Sequence, residues 1–215
     1  MKLHTFASAP NPRRVHVYLA EKGIEIPIEP VNILKRENRQ PAFLENVDPM
    51  GRVPVLELDD GSHLAESVAI CRYLEALYPE PPLFGRAAEE QGRIEMWIRR
   101  IELDLMMPVG LVWVHGSPLT AAVMKEQIPA VAEQNRERVQ REFAFLDREL
   151  AGREFLAGND FSMADIVGLC TVEFAANLNG LPPPPERRHL TRWFDGVSSR
   201  PSAAENRPQP IGPSG

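Results

Sequence analysis

A change of pattern at residues 79–82 constrains the fold of this chain more than any other feature. This segment contains Pro79, Pro81 and Pro82. Strand-like and helix-like patterns alternate before it, and only helix-like patterns follow it. Because closely spaced prolines interrupt both helices and sheets, the segment predicts a boundary between two domains.

The chain before this boundary begins with the pattern of a β-α-β unit. Residues 2–6 predict a short strand, and a helix follows that ends at Gly23. Ile24, Ile26 and Ile28 then alternate with other residues, which predicts a second strand. A short helix is expected over 41–46.

A hairpin and a further helix complete the first domain. Two short apolar runs flank Asp60-Gly61, and Asp-Gly is among the strongest short signals for a hairpin turn. An apolar stripe over 67–78 then predicts a helix. The order β-α-β followed by β-β-α is the thioredoxin arrangement, so residues 1–80 are predicted to form a thioredoxin-like α/β domain.

The chain after the boundary predicts an all-helical domain over 89–200, joined by a linker over 81–88. Ser162 precedes Asp165 by three residues, the spacing of a capping box that starts a helix. Residues 201–215 are rich in Pro, Ser and Gly and should be loosely ordered unless they dock. The predicted helices cover 89–107, 124–150, a segment beginning at 162 and about 186–199.

Composition and charge exclude two classes of partner. The formal net charge of −6 argues against nucleic-acid binding, which requires clustered Lys and Arg. The longest apolar run, residues 106–114, contains Pro108 and Gly110 and is far shorter than the roughly 20 residues of a membrane helix. The N-terminus shows no continuous apolar stretch of signal-peptide type. We therefore expect a cytoplasmic protein that binds neither nucleic acid nor membrane.

The cysteines and histidines show no pattern of a redox or metal site. Cys71 and Cys170 each lie in a helical pattern, which favours two buried thiols over a disulfide. The spacing of the histidines matches no ligand motif, so no metal site is predicted. The histidines are His4, His16, His63, His115 and His189.

The most specific stretch is NVDPMGRVPVL over residues 46–56, followed by LAES over residues 64–67. With the capped helix at Ser162 and the order of elements, it resembles the glutathione transferase family over residues 1 to about 200. The resemblance implies an N-terminal thioredoxin-like domain that binds glutathione and an all-α C-terminal domain. It further implies glutathione as co-substrate, no other cofactor, and a homodimer.

The same resemblance assigns residues to glutathione binding. A cis Val53–Pro54 bond would turn the N–H and C=O of Val53 outward, where an extended peptide can pair with them like an added strand. Ser67 and the helix start suit the γ-glutamyl carboxylate, and Glu66 would face the ammonium group of the ligand.

Three further residues are candidates for the glycyl carboxylate of glutathione, namely Asn38, Arg39 and Arg52. A solvated surface position is the alternative for each of them. Asp48 stands where the family usually has asparagine, a change that we interpret as turn chemistry.

The N-terminal residue that would activate the glutathione thiol departs from the usual family pattern. Most members carry Tyr, Ser or Cys near the start of the first helix, and that position falls on Ala9 here. Asn11 lies two residues later. Ser8 lies one residue out of register and has the alternative of a polar loop residue.

A subgroup known from fungi and bacteria lacks that residue and uses a histidine and a serine of the helical domain, through a bound water. The chain resembles this subgroup in RRVHVYLAEK over 13–22 and in WVHGSP over 113–118. The resemblance implies His115 and Ser117 as catalytic residues, with Asn11 assisting. A plain surface histidine is the alternative for His115.

The implied reaction is conjugation of the glutathione thiolate to a small hydrophobic electrophile, as in detoxification. The alternatives are a glutathione-dependent peroxidase or dehalogenase and a non-catalytic glutathione-binding protein on the same scaffold. Apolar residues of both domains should line the electrophile pocket, although core positions would explain them equally. These residues are Phe6, Met107, Leu111 and Trp113.

Overall fold

The computed structural model describes residues 1–207, and these residues form two units. The first unit comprises Met1–Pro82 together with residues 201–207, and the second comprises Leu83–Arg200. Within the described part of the chain, no helix is both long enough and apolar enough to cross a membrane.

The first unit contains a four-stranded mixed sheet in the order β2-β1-β3-β4. β1 runs parallel to β2 and antiparallel to β3, and β3 and β4 form the expected hairpin. This sheet confirms the predicted α/β class of the domain. The strands are β1 Lys2–Thr5, β2 Ile28–Pro30, β3 Val55–Glu57 and β4 His63–Ala65.

The second strand begins later than the alternation of isoleucines predicted. The N–H of Ile24 donates to the carbonyl of Leu19, which uses Ile24 to close the preceding helix. Pro27 then accepts the N–H of Leu3, and regular pairing starts at Ile28. The first residues that the pattern assigned to the strand therefore belong to the end of that helix and the turn after it.

Three helices of the first unit have the expected positions, α1 Pro10–Lys22, α2 Pro41–Asn46 and α3 Ser67–Leu77. α1 ends at Gly23, whose φ of +63° is the left-handed conformation that glycine adopts readily. α1 and α3 pack together over the sheet, and Leu3, Leu56, Val15 and Ile70 are fully buried there.

The second unit is helical throughout its regular structure, which confirms the all-α prediction. A π-helical segment, Ile101–Met106, joins α4 to α5. α7 begins at Pro129 rather than at 124, because the residue before a proline is driven out of the helical region and Ile128 has φ −111° and ψ 96°. The helices are α4 Ala88–Arg100, α5 Met107–Gly116, α6 Pro118–Ala121, α7 Pro129–Glu149, α8 Met163–Asn179 and α9 Arg188–Ser198.

Residues 201–206 are more ordered than their composition suggested. Residues Pro201–Glu205 form α10, which packs on α1 within the first unit. Ala203 is buried, and its carbonyl and that of Asn206 accept hydrogen bonds from the buried guanidinium of Arg13. Residues 201–206 therefore dock on α1, which is the exception that the expectation of a loose tail allowed for. The rest of that tail, 208–215, lies outside the described residues.

The predicted linker also contributes to the second unit. Leu83 and Phe84 are buried, and the carbonyl of Leu83 accepts the N–H of Met163 at the start of α8. Cys71 and Cys170 are buried thiols, as predicted, and no disulfide joins them.

Asp165 organises the start of α8. Its carboxylate is fully buried and accepts four hydrogen bonds, from the N–H groups of Leu156 and Ser162, the hydroxyl of Ser162 and the indole N–H of Trp193. The capping box predicted from the sequence is therefore present. Burial raises the pKa of Asp165, and these hydrogen bonds oppose that shift.

We predict that Asp165→Ala lowers the free energy of unfolding by about 3 kcal/mol or more, since it leaves several buried donors without an acceptor. Asp160→Ala, an exposed position in the preceding loop, should change that free energy by less than about 0.5 kcal/mol. Urea titration followed by circular dichroism measures both. Equal stability of the two variants would contradict the role of Asp165.

Candidate functional site

The junction between β4 and α3 has an unusual backbone. β4 ends at Ala65, and Glu66 adopts φ +70° before α3 begins at Ser67. A non-glycine residue in this region costs about 1–3 kcal/mol and persists where the surrounding structure holds it, often at a binding site. Ser67 is buried, whereas the side chain of Glu66 is 72% exposed. The junction therefore presents a carboxylate next to the first N–H groups of a helix, which lack intrahelical partners.

A buried guanidinium lies beside this helix start. Arg14 of α1 is only 2% exposed, and its Nη1 donates to Oγ of Ser67 at 3.4 Å. The positive charge of Arg14 and the N-terminus of α3 both stabilise negative charge beside Ser67. Together they favour the binding of an anion there. In the sequence, Arg14 stands out only as part of the motif RRVHVYLAEK over residues 13–22. The signal for a buried charge was the position of Arg14 beside Val15, in a part of α1 whose neighbouring residues are buried.

Asp48 and Asn38 hold the loop that leads to Val53. The carboxylate of Asp48 accepts the N–H of Arg52 at 2.8 Å, which confirms the expected turn chemistry. Nδ2 of Asn38 donates to the carbonyl of Gly51 at 2.7 Å. Asn38 is buried, so the solvated-surface alternative is wrong for this residue.

The two arginines near this loop have different surroundings. Nη1 of Arg39 donates to the carbonyl of Met50 at 3.0 Å, although the residue is exposed. Nη1 of Arg52 lies 3.5 Å from Oε1 of Glu66, and the Arg52 side chain is 61% exposed. An ion pair this exposed contributes little to stability. It does connect the 48–52 loop to the start of α3.

The Val53–Pro54 peptide bond is cis, as predicted. Val53 is half-buried and precedes β3, whereas Pro54 is buried. The pairing registers of β3 begin at Val55, so the backbone of Val53 lies beyond the sheet ladder.

The candidate residues near the N-terminus lie where the chain passes from β1 to α1. The N–H of Ala9 donates to the carbonyl of Phe6 at 2.9 Å and closes a turn that contains Ser8. Asn11 is the second residue of α1. Phe6, Ser8, Ala9 and Asn11 are all partly exposed, so each side chain is accessible on the first unit.

His115 lies in the last turn of α5, in the second unit. Its Nδ1 accepts the N–H of Ile128 at 3.2 Å. Because an accepting ring nitrogen carries no proton, the proton of the neutral imidazole lies on Nε2. The fold therefore orients His115 as a donor through Nε2.

The segment that carries His115 is fixed by two polar side chains that sequence reasoning did not identify. The hydroxyl of Thr120 bonds to the carbonyls of Val114 and Ser117, at 3.0 and 2.9 Å. Nε2 of Gln127 donates to the same two carbonyls, at 3.1 and 2.8 Å. Ser117 is buried, and its Oγ accepts the N–H of Leu119 at the start of α6. The His115–Ser117 segment is therefore a braced break between two helices.

The predicted apolar residues of the second unit divide into two groups. Met107, Leu111 and His115 follow one another at intervals of four along α5, so they share one helix face. Met107 is half-exposed, and Leu111 and His115 are partly exposed. Trp113 lies off this stripe, with its ring centroid 5.8 Å from that of Phe174 in α8.

The structure thus gathers the predicted glutathione-binding residues in one region of the first unit. Hydrogen bonds and ion pairs connect the 48–52 loop with Asn38, Arg39 and Glu66, and Ser67 follows directly. The catalytic candidates are divided, since Ser8 and Asn11 belong to the first unit and His115 and Ser117 to the second.

A cavity of about 560 Å³ in the second unit includes none of the predicted residues. It is lined in part by Arg153, Arg192 and Trp193. Arg153 pairs with Glu149, and Arg192 donates to the carbonyls of Leu150 and Arg153. These two arginines thus already bond to groups at the end of α7 and in the segment that follows it.

The fold also assembles a cluster that histidine spacing did not indicate. His4, Glu57 and His63 come from β1, β3 and β4, and their nitrogen and oxygen atoms lie within 4.8 Å of one another. Hydrogen bonds from His4 and Lys2 hold the pKa of Glu57 below its usual value. The prediction of no metal site rested on spacing along the chain, whereas this cluster depends on strand pairing.

Comparisons with known sequences agree with this architecture. Residues 3–82 match the glutathione S-transferase N-terminal domain family, and residues 106–201 match the corresponding C-terminal domain family. Glutathione S-transferase 2 of Saccharomyces cerevisiae is 36% identical over 205 residues, which cover 94% of this chain and 87% of that protein. Glutathione S-transferase F10 of Arabidopsis thaliana is 31% identical over 206 residues, covering 91% and 89%.

Solved structures give the same result. The crystal structure of Gtt2 from Saccharomyces cerevisiae aligns with a TM-score of 0.89 at 35% identity, covering 96% of this chain and all of that one. A glutathione S-transferase of class Gtt2 from Vibrio parahaemolyticus aligns with a TM-score of 0.84 at 31% identity, covering 96% of each chain. The chain therefore belongs to the glutathione transferase family and is a transferase. Within that family it is of the fungal and bacterial Gtt2 type, as its sequence motifs indicated.

We predict that Gly51→Ala destabilises the protein and weakens glutathione binding. An added Cβ would lie 2.7 Å from the carbonyl oxygen of Asn38, at a φ of +60°. Gly61→Ala is the matched control, because it has φ +81° and nothing within 4 Å. The control should cost about 1–2 kcal/mol for the left-handed backbone alone, and Gly51→Ala should cost about 1–3 kcal/mol more for the overlap. Urea unfolding and calorimetric titration with glutathione measure both effects, and identical behaviour of the two variants would contradict this prediction.

Proposed function

We propose that this transferase conjugates the thiolate of glutathione to small hydrophobic electrophiles. The observation that carries the proposal is the start of α3, where buried Ser67 meets the buried guanidinium of Arg14 and Glu66 has φ +70°. Glutathione has a carboxylate and an ammonium group on the same carbon of its γ-glutamyl end. An anion site with a carboxylate next to it matches that pair of charges.

The 48–52 loop and Val53, which follows it, would supply the remaining contacts to glutathione. The Val53 backbone would pair with the cysteinyl part of the ligand as an added strand. The exposed Arg52 and Arg39 are available to the glycyl carboxylate. Asn38 would act by holding Gly51, and so the loop, in place. In this arrangement one ligand spans the loop and the start of α3.

Activation of the thiol is assigned to His115. A free thiol has a pKa of about 8.5 and is mostly protonated at neutral pH. A donor directed at sulfur, here Nε2–H of His115 through a bound water, favours the thiolate. Ser117 and Asn11 would assist, and Ser8 is the alternative from the N-terminal loop. The side chain of Ala9 offers no donor.

The electrophile would bind against the stripe of Met107 and Leu111, which shares its helix face with His115. Phe6 and Trp113 are the further apolar residues assigned to this pocket. The same thiolate can also react with a peroxide or an organic halide. A glutathione-dependent peroxidase or dehalogenase activity is therefore the alternative. The homodimer and the cytoplasmic location stay predictions from the sequence.

We predict that Ser67→Ala and Glu66→Ala each weaken glutathione binding by about 1–3 kcal/mol, since each removes a polar partner of a charged ligand group. Ser62→Ala and Glu25→Ala are controls at exposed positions of the first unit. Isothermal titration calorimetry with glutathione measures the affinity. Unchanged affinity in both test variants would show that glutathione binds elsewhere.

We predict that His115→Ala lowers turnover about a hundredfold, or about 3 kcal/mol, with a much smaller effect on glutathione affinity. Ser117→Ala should have a smaller effect of the same kind. His189→Ala, at a half-buried histidine of α9, is the control. Turnover is measured with aromatic halides, isothiocyanates and peroxides, which also separates conjugation from peroxidase activity.

The pKa of the thiol of bound glutathione distinguishes a donor supplied by His115 from a donor supplied by the N-terminal loop. Ultraviolet titration of the thiolate should show a higher pKa in His115→Ala than in the parent protein. A rise only in Asn11→Ala or Ser8→Ala would transfer the role to the N-terminal loop. Binding of glutathione without turnover of any of these electrophiles by the parent protein would favour the non-catalytic alternative.

A further inference from the structure

Strand pairing places three metal-ligating side chains on one face of the sheet. Glu57 of β3 pairs with Lys2 of β1 and with His63 of β4, and directly paired residues share a face. His4 lies two residues after Lys2, so it shares that face as well. His4, Glu57 and His63 thus come from three neighbouring strands. We name them the His-Glu-His cluster.

The distances in the His-Glu-His cluster are those of a nearly formed coordination site. Nε2 of His4 lies 2.9 Å from Oε2 of Glu57, and Nε2 of His63 lies 3.9 Å from the same oxygen. All three ligand atoms lie within 4.8 Å of one another. Tetrahedral ligands at about 2.0–2.1 Å from a zinc ion are about 3.3 Å apart. Small side-chain rotations would therefore bring the three ligand atoms within bonding distance of one ion.

The surroundings of the cluster combine rigidity with access. The His4 side chain is 8% exposed, and its ring packs against that of Phe43 in a T-shaped arrangement with a centroid distance of 6.5 Å. The side chains of Glu57 and His63 are 32% and 25% exposed. One ligand is thus held by packing while the other two border solvent, which leaves a path for an ion and room for water.

Lys2 is the group that competes with a cation at this place. Its Nζ lies 3.0 Å from Oε2 of Glu57, and its side chain is 37% exposed. A lysine ammonium on a long, partly exposed side chain can turn into water when a cation takes its position. Lys2 and His4 both hydrogen-bond Glu57, so a metal ion would replace these contacts with direct bonds to Glu57 and His4.

We propose that His4, Glu57 and His63 bind a divalent transition-metal ion of the zinc type, with water completing the coordination. Two imidazoles and one carboxylate suit zinc and its neighbours, whereas magnesium and calcium prefer oxygen ligands alone. This metal site is separate from the residues of the proposed glutathione chemistry. It makes no use of His115, Ser67 or the 48–52 loop.

The test is zinc titration of the untagged, chelator-treated full chain against a chromophoric zinc chelator. The parent protein should bind one zinc ion per chain. His63→Gln and Glu57→Gln should bind it at least about tenfold more weakly, since losing even an outer partner of a ligand costs that much. His189→Gln, on α9 of the second unit, removes a histidine outside the cluster and should leave the affinity unchanged.

His63 and Glu57 are chosen because they border solvent, and circular dichroism confirms that these variants fold. His4→Gln replaces a buried side chain and serves only as a further ligand variant if it folds. An unchanged zinc affinity in either His63→Gln or Glu57→Gln overturns the proposal. Absence of saturable zinc binding by the parent protein would also overturn it and would leave the three side chains as a hydrogen-bonded cluster.

Discussion

The first unit depends on the burial of two adjacent arginines in α1. Arg13 and Arg14 are each 2% exposed, and a buried guanidinium is costly unless hydrogen bonds compensate it. Arg13 donates to the carbonyls of Ala203 and Asn206, which attaches the segment after residue 200 to α1. Arg14 reaches Ser67, which attaches α1 to the start of α3. The same pair of charges thus attaches α10 to α1 and prepares an anion site beside Ser67.

A buried carboxylate has the corresponding role in the second unit. Asp165 joins the loop at Leu156, the capping turn at Ser162 and the indole of Trp193 in α9. Because each partner comes from a different segment, one side chain fixes their mutual positions. In both units, then, a buried charge with several partners holds separate segments of the chain together. The His115 segment is braced in a different way, by Thr120 and Gln127, which bond to main-chain carbonyls.

The departure of this chain from the usual family pattern has a structural counterpart. The side chain of Ala9 supplies no donor at the turn before α1, whereas the ring of His115 is oriented with Nε2 as its donor because Nδ1 accepts the N–H of Ile128. Under the proposed function, the donor to the glutathione thiol has moved from a loop residue to a helix end. Such a position is rigid because α5 and α6 meet there and polar side chains clamp the break.

The sequence by itself determined the features that depend on neighbours in the chain. These include the Asp60-Gly61 hairpin, the Gly23 helix end, the Ser162 capping box and, through the family motif, the cis bond before Pro54. Local signals suffice for them because turns, caps and helix periodicity act over a few residues.

Only the tertiary structure decided the features that join distant residues. Arg14 meets Ser67 across 53 positions, His4 meets Glu57 across 53, and Arg13 meets Ala203 across 190. The docking of α10, the burial of Asn38 and the His-Glu-His cluster all depend on such pairs. Their positions follow from strand register and helix packing, and spacing along a single chain does not encode which distant polar groups will share one buried space.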